Sequence, residues 1–285
     1  GENPELRIFF HRLASLAALP VHLVFVTDGP LRPSIKRGKQ VKTAPHWLTE
    51  GILRFVEAFG FACLEAAGEA EAELAEMNRL GVIDAIMTDD SDVLVHGARV
   101  VIRNPSFKRA AVDAIEVVRS ESIHKELGFR QGDLVLFALL VGSDYDQVGL
   151  ARCGVRTACG LIKHGLGRSL FTALLTAPEE KVRTFLVDWR TRLQDVLRTD
   201  PGKTIGRAHP GLAASITPAF PNLDAAKLFL QPRLLNPTSY SAIRDSRPLD
   251  IPSIAALCEL YFSWGSRAEI LKTLRSSLWE GEVLR

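Results

Sequence analysis

Between Gly68 and Asp92 the chain reads GEAEAELAEMNRLGVIDAIMTDDSD, and here carboxylates are dense enough to do chemistry. Glu69, Glu71, Asp90 and Asp92 carry the interest. The first part has the period of a short helix: Ala70, Leu74 and Met77 recur at helical spacing, and Gly81 stops it. On that spacing Glu73 and Glu76 share an outer face with Glu69. Glu71 differs, because its neighbours three and four residues on are the apolar Leu74 and Ala75. An acid on the apolar side of a helix needs a partner or a cation to stay ionised. The run Val82–Met87 is nearly all apolar, as in a parallel strand covered on both faces. Its carboxyl end delivers Asp89, Asp90 and Asp92 together, where ligands and metals collect in open α/β sheets. Singly, these acids have ordinary explanations. Acids at a helix start complement its dipole and cap its free N–H groups, and TDDSD alone reads as a solvated turn. Together, beside an inward glutamate, they would repel one another without a cation.

The elements that position them alternate. Residues 5–19 form an amphipathic helix with Leu6, Phe9, Phe10, Leu13, Leu16 and Ala17 on one face, ended by Pro20. Val21–Val26 reads as a buried strand that ends at Asp28-Gly29-Pro30, the same placement as Asp90. Residues 31–44 are basic without an apolar period and read as a solvated loop or a cationic arm. A helix over 45–59 and a short strand over 60–64 lead back to the acids. After Asp92, residues 99–104 form a strand, and 108–118 a strand that turns into a helix. His96 reads as a surface or core imidazole. Two helices fill 120–140, the second ending in Gly142-Ser143-Asp144-Tyr145. Gly149 and Gly154 flank a loop that could turn backbone N–H groups toward a phosphate. Helices follow over Val155–Lys163, 167–176 and 179–198. Thr199 to Pro252 holds eight of the fifteen prolines and reads as mostly irregular, with one short helix at Leu223–Leu230. Helices over 253–264 and 266–279, the latter capped by Ser266, close the chain.

The 285 residues suffice for one large domain or two small ones. With 47% apolar and 24% charged residues the composition is ordinary for a soluble globular chain, and no apolar run could span a membrane. The net charge of +2 conceals separate patches: acids in the opening stretch, bases over residues 32–42 and along Arg103–Arg109. That division suits a metal site beside a groove for a polyanion. The four cysteines make no CxxC pair, so they read as reduced core thiols rather than zinc ligands or a disulfide framework.

Asp28, Glu69, Glu71, Asp90, Asp92 and Asp144 thus converge as a set of oxygen donors of the kind Mg²⁺ takes, one or two carboxylates per ion with water completing the shell. Two such ions would clamp the attacking and leaving oxygens of a phosphodiester.

The order strand–DGP, GEAEAE, TDDSD, GSDY resembles the XPG/flap-endonuclease family of structure-specific 5′ nucleases. The wording RIFFHRLASL, KRGKQV and AGEAEAELAEMNRLGVIDAIMTDDSDVLV is most similar to its fungal Holliday-junction resolvase branch. The likeness covers about the first 165 residues. It implies an α/β, PIN/5′-nuclease-like fold: a mainly parallel central sheet flanked by helices, then a helix–two-turn–helix element and a helical C-terminal part. It divides the chain into a nuclease core (1–140), a helix–two-turn–helix DNA-binding region (141–198), and a Pro-rich linker with C-terminal helices (199–285). It implies that the six acids bind two Mg²⁺ ions, with Mn²⁺ as a substitute. It places Lys36, Arg37 and Lys39 as catalytic cations of an arch or gateway. Lys42, Arg103, Lys108, Arg109, Gly149, Gly154, Arg156 and Lys163 become DNA contacts, with K⁺ at the Gly149–Gly154 loop. The implied activity is cleavage of branched double-stranded DNA, Holliday junctions and 5′ flaps, in nuclear repair and recombination, with homodimerisation on junction DNA and no membrane partner.

Three departures accompany the likeness. The chain passes almost at once into its first helix, so the expectation is a fragment or truncated gene model lacking the family's first strand and that strand's aspartate. The grip loop reads GLARCG, with Arg152 where a small residue is usual. The span between Asp28 and Glu69 is short for a threading arch and favours substrates admitted from the side. Two other readings follow from the same residues. One is a catalytically inactive, junction-binding remnant. The other is a small-substrate phosphohydrolase, for which an early Asp-x-Asp-x-Thr loop is missing.

Overall fold

The computed structural model describes residues 3–36, 38–40, 47–103, 115–244, 247–264 and 266–284. Helix α1 (Pro4–Ala17) buries Leu6, Phe10 and Leu13 and leads into strand β1 (Val24–Thr27). The basic stretch is not a plain loop. It makes a two-residue-per-arm antiparallel hairpin, β2 (Ile35–Lys36) with β3 (Lys39–Gln40). Gly38 takes the left-handed φ of 66° that so tight a turn demands. Helix α2 (Trp47–Ala58) and strand β4 (Ala62–Glu65) follow, then helix α3 (Ala70–Arg79) with Glu69 at its N-cap position.

Strand β5 contains only Ile86–Met87, far less than the apolar run Val82–Met87 suggests. Asn78 is the reason. Its buried carboxamide donates to the carbonyls of Ile83 and Asp84, both at 3.0 Å, and accepts from Arg99 N and Val100 N. The chain leaving α3 is therefore held in turns until Ile86. The short helix α4 (Asp92–Val95) and strand β6 (Val100–Ile102) come next. The helix expected at the end of 108–118 is replaced by strand β7 (Val117–Arg119), paired antiparallel to β6 through Val101↔Val118. Its β-branched pair and its edge pairing outweigh a weak helical period.

Among the described residues the strands form three small sheets rather than one continuous sheet. β1 pairs parallel with β4, β5 pairs parallel with β6, and β2–β3 stands alone. With a ladder on one edge only, β1 is half-buried along its length, not fully buried as its apolar sequence suggests.

Helices α5 (Ser120–Leu127), α6 (Gln131–Val141), α7 (Val155–Ile162), α8 (Leu166–Thr176) and α9 (Glu179–Thr199) follow as expected. They close on a core centred on Trp189, whose indole N–H donates to Leu166 O at 3.0 Å. The Pro-rich region is more ordered than its composition implies. It supplies α10 (Pro210–Ala214), α11 (Leu223–Leu230, capped by Asn222) and a 3-10 helix over Pro237–Arg244. Phe220 and Phe229 enter the Trp189 core. Helices α12 (Ile251–Phe262) and α13 (Arg267–Leu284) fold back onto α1 and α2, forming a second core around Phe10, Phe55 and Phe59. Ser266 caps α13 through Glu269 N, as anticipated. All four cysteines are free. Cys153 and Cys258 are core thiols, Cys159 is half-buried, and Cys63 is exposed on β4, against expectation. Among the described residues no helix is long and apolar enough to cross a membrane.

Candidate acidic active site

The six acids reach the site from four supports. Asp28 follows β1. It stays exposed, but its Oδ1 accepts from Ala70 N at 3.0 Å and its Oδ2 from Arg32 at 3.2 Å. This ties the end of β1 to the start of α3. Gly29 must be glycine: a Cβ there would lie 1.7 Å from Ala66 O. Glu69 and Glu71 come from the first turn of α3. Asp90 and Asp92 come from the turn after β5. There Thr88 Oγ1 accepts from Asp90 N, and Asp90 Oδ1 from Asp92 N at 2.9 Å, which starts α4. Asp144 follows α6, at the edge of the Trp189 core.

One cation bridges two of them. The Lys36 ammonium on the β2–β3 hairpin lies 3.0 Å from Glu69 Oε1 and 3.3 Å from Asp144 Oδ2. Burial alone would lower its pKa, but hydrogen bonds and charge from Glu69, Glu71 and Asp144 outweigh burial and push it up. The carboxylates strain the other way. Burial raises Glu71, assisted by Asp28 and Glu69 and opposed by its own backbone N–H and by Lys36. Burial also lifts Asp92, to about 6, with repulsion from Asp90 and Asp144 adding to it. The same interactions link all six predicted acids into one electrostatic cluster.

Behind Glu69 stands Tyr145, whose hydroxyl donates to Glu69 Oε2 and lies 3.4 Å from His96 Nε2. Phe229 packs on both rings. Burial holds His96 at about 4, so the imidazole is neutral. Burial and the Glu69 charge keep the Tyr145 phenol protonated. His96 is thus a core imidazole, one of the two readings its sequence left open. Tyr145 was not singled out as a site residue, although its place beside Asp144 in GSDY was the available signal.

The acids meet the requirements of a hard cation in two respects. Glu71 Oε2 is buried with no hydrogen-bond partner, a costly state for a carboxylate oxygen. The cluster is also over-supplied with like charge. Among the described residues, however, no three His, Cys, Asp or Glu side chains form a ready-made ligand set.

The predicted basic residues divide. Lys36 enters the acidic centre, while Lys39 stands exposed on β3. Arg37, Lys42, Lys108 and Arg109 lie outside the described residues. Arg103 donates to Asp89 O and so braces the TDDSD turn from outside. Arg156 and Lys163 are exposed on and just after α7, which starts at the open N-cap Gly154. Gly149 has φ 54° and is packed so tightly that a Cβ would sit 2.7 Å from both Leu140 O and Gly142 N. Asp146 fixes this loop by accepting from Val148 N, Gly149 N and Asn222. Arg152 holds a left-handed φ of 70°, which costs a non-glycine residue about 1 kcal/mol. Two acids were misplaced by the sequence. Glu73 is not on an outer face with Glu76; it is 0% exposed. Its partners are Ala67 N and, from about 160 residues away, Leu235 N and Tyr240. Glu69 is buried too.

Residues 60–144, which hold five of the six acids, match the XPG I-region. Single-strand DNA endonuclease 1 of Oryza sativa subsp. japonica is 26% identical over 91% of this chain and 44% of its own length. Flap endonuclease GEN-like 1 of Arabidopsis thaliana is 32% identical over 56% of this chain and 31% of its own length. The chain therefore spans less than half of the curated relatives it matches. Among solved structures, the eukaryotic junction-resolving enzyme GEN-1 binding cesium superposes with a TM-score of 0.81, at 28% identity, over 99% of this chain and 66% of that one. The Holliday junction-resolving enzyme GEN1 in complex with product DNA and Mg²⁺ superposes at 0.78, at the same identity, over 99% and 65%.

Proposed function

We propose that this chain belongs to the XPG/flap-endonuclease family of structure-specific nucleases, on its match to the XPG I-region and its likeness to flap and junction-resolving endonucleases, and that it is a Mg²⁺-dependent endonuclease that cuts branched DNA at Holliday junctions and 5′ flaps. Nuclear repair and recombination would be its setting. The observation that carries this reading is the acidic cluster itself: six carboxylates from four supports, an orphaned Glu71 oxygen, and Lys36 bridging Glu69 and Asp144.

Bound Mg²⁺ would supply a water acidified toward hydroxide and positive charge for the leaving oxygen. Glu71, Asp90, Asp92 and Asp144 would hold it, with Asp28 and Glu69 at the margins of the cluster. Tyr145 keeps Glu69 oriented by donating to one oxygen while Lys36 takes the other. Lys36 sits on a hairpin that stands on the surface, so it can exchange its carboxylate partners for the oxygens of a scissile phosphate and neutralise charge there. Gly149, Gly154, Arg156 and Lys163, on α7, at its C-cap and in the loop before it, would take duplex phosphates, with K⁺ at the loop. Their contacts carry affinity and position, not sequence. Relatives described with cesium, potassium and sodium, and with Mg²⁺ and Mn²⁺, support the same assignment of ions. Two symmetrical cuts in a junction would require two copies on one substrate. Residues 1–140, 141–198 and 199–285 would act as nuclease core, DNA grip and C-terminal support.

Incubation with a nicked junction and a 5′ flap in Mg²⁺ tests this. Incision should be lost in Asp90→Asn, while salt-sensitive binding in Ca²⁺ persists. Equal cleavage by wild type and Asp90→Asn would refute the assignment. Binding without any incision by wild type would favour the inactive remnant.

A further inference from the structure

Glu73 has no place in the cluster just described, yet it is the most completely enclosed acid in its helix. It is 0% exposed, and both its oxygens are occupied. Oε2 accepts from Ala67 N at 3.2 Å and Leu235 N at 3.1 Å. Oε1 accepts from Leu235 N and from the hydroxyl of Tyr240, itself 2% exposed. The donors on one side belong to the turn that carries Glu69. Those on the other belong to residues 233–240, a segment that composition marks as a linker. That segment lies against the turn closely enough that a Cβ on Gly68 would meet Arg233 O at 2.9 Å. The turn is gripped from its opposite side as well. Gly29 N donates to Gly68 O at 2.7 Å and Leu31 N to Ala67 O at 3.0 Å, from the loop that holds Asp28. Glu73 N closes the arrangement by donating to Glu69 O at 3.2 Å.

We propose that Glu73 is a positioning residue for the acidic site, and that the strap Arg233–Tyr240 sets the placement of Glu69 and Glu71 through it. An apolar side chain at this position would bury as much surface without reading three donors at once. The carboxylate fixes the strap, the turn and the first turn of α3 in one register. It therefore fixes the direction in which Glu69 and Glu71 leave the helix. The C-terminal segment is on this view part of the nuclease core. The inference rests on the nuclease reading for the purpose it assigns to the turn, while the positioning itself can be measured separately.

The test compares Tyr240→Phe and Glu73→Gln with wild type, and with Ile254→Val, a core truncation in α12 remote from the strap. Two quantities are measured: hydrogen exchange of the segment 66–75, and Mn²⁺ affinity without DNA by water-proton relaxation. The expected result for Tyr240→Phe is about tenfold faster exchange at 66–75 with α9 unchanged, and Mn²⁺ affinity several-fold weaker. Junction binding in Ca²⁺ should stay within about twofold. Glu73→Gln should move the same quantities further, because a carboxamide cannot accept at both ends. Exchange and Mn²⁺ affinity unchanged from wild type, or changed only as in Ile254→Val, would overturn the inference. If wild type binds no Mn²⁺ and cuts no DNA, the nuclease reading falls. Faster exchange at 66–75 in Tyr240→Phe would still support the strap as the element that positions the turn.

Discussion

Asp92→Asn should make this protein more stable while ending its chemistry. Burial and the charges of Asp90 and Asp144 raise Asp92 from its ordinary 3.8 to about 6 in the folded chain. The folded state therefore holds that proton more tightly than the unfolded state. Between those two values the folded chain binds more protons, so stability falls as pH rises through the window, and the full cost is present above about 6. A rise of that size corresponds to about 3 kcal/mol. Asp92 is only partly buried, and solvent screening reduces this to about 1.5 kcal/mol. Removing the charge should raise the melting temperature of the metal-free protein by about 3–5 °C at pH 7.5. The gain should fade as pH drops through about 6 and vanish near 3.8, where wild type is protonated too. Millimolar Mg²⁺ should reverse the order, because it stabilises only the chain that keeps the carboxylate. Thermal unfolding at several pH values, with and without Mg²⁺, reads all of this. An Asn variant less stable than wild type at pH 7.5, or a gain that ignores pH, would refute the reasoning.

Lys36→Met should cut the rate of junction cleavage by about 10²–10³-fold, as when a preorganised charge is removed from a transition state. Single-turnover kinetics at saturating enzyme checks this, and a loss confined to DNA affinity would contradict it. Gly149→Ala should destabilise by more than 1 kcal/mol, since it combines a left-handed φ with two backbone clashes; denaturant melts measure it. Asn78→Ala leaves the carbonyls of Ile83 and Asp84 and the amides of Arg99 and Val100 short of partners, and should cost about 2–4 kcal/mol. Changing Lys163 to Ala should weaken binding to all branched duplexes alike and lower the salt dependence by about one counterion; fluorescence anisotropy against salt concentration reports it.

Much of this site was legible because acids at strand ends and helix starts obey local rules. Asp28, Glu69, Glu71, Asp90, Asp92 and Asp144 each flank an element whose period is clear, and Glu69 and Asp144 share Lys36. What local pattern could not carry was the identity of distant partners. Glu73 has the helical spacing of a solvent-facing residue. Leu235 and Tyr240, in a stretch whose prolines read as irregular chain, supply the distant partners that enclose it. The shortness of β5 has the same origin: an apolar run reads as a strand until one asparagine claims two of its carbonyls. Lys36 was picked from a dense run of basic residues by family position, and the hairpin that delivers it has too few residues to show a period.

The apolar interior is divided, with Trp189 at the centre of one large cluster and Phe10, Phe55 and Phe59 at the centre of another. Asp144 hangs from the first of these. Asp28 follows a strand whose Phe25 packs on the second, and Asp90 and Asp92 sit beside a small third cluster containing Ile86 and Val93. The geometry of the acidic site thus depends on the seams between separately packed units, and such seams are where sub-global opening is expected. The proposed nuclease activity should consequently disappear at a denaturant concentration where the helical signal is still intact, so that cleavage would gauge partial unfolding.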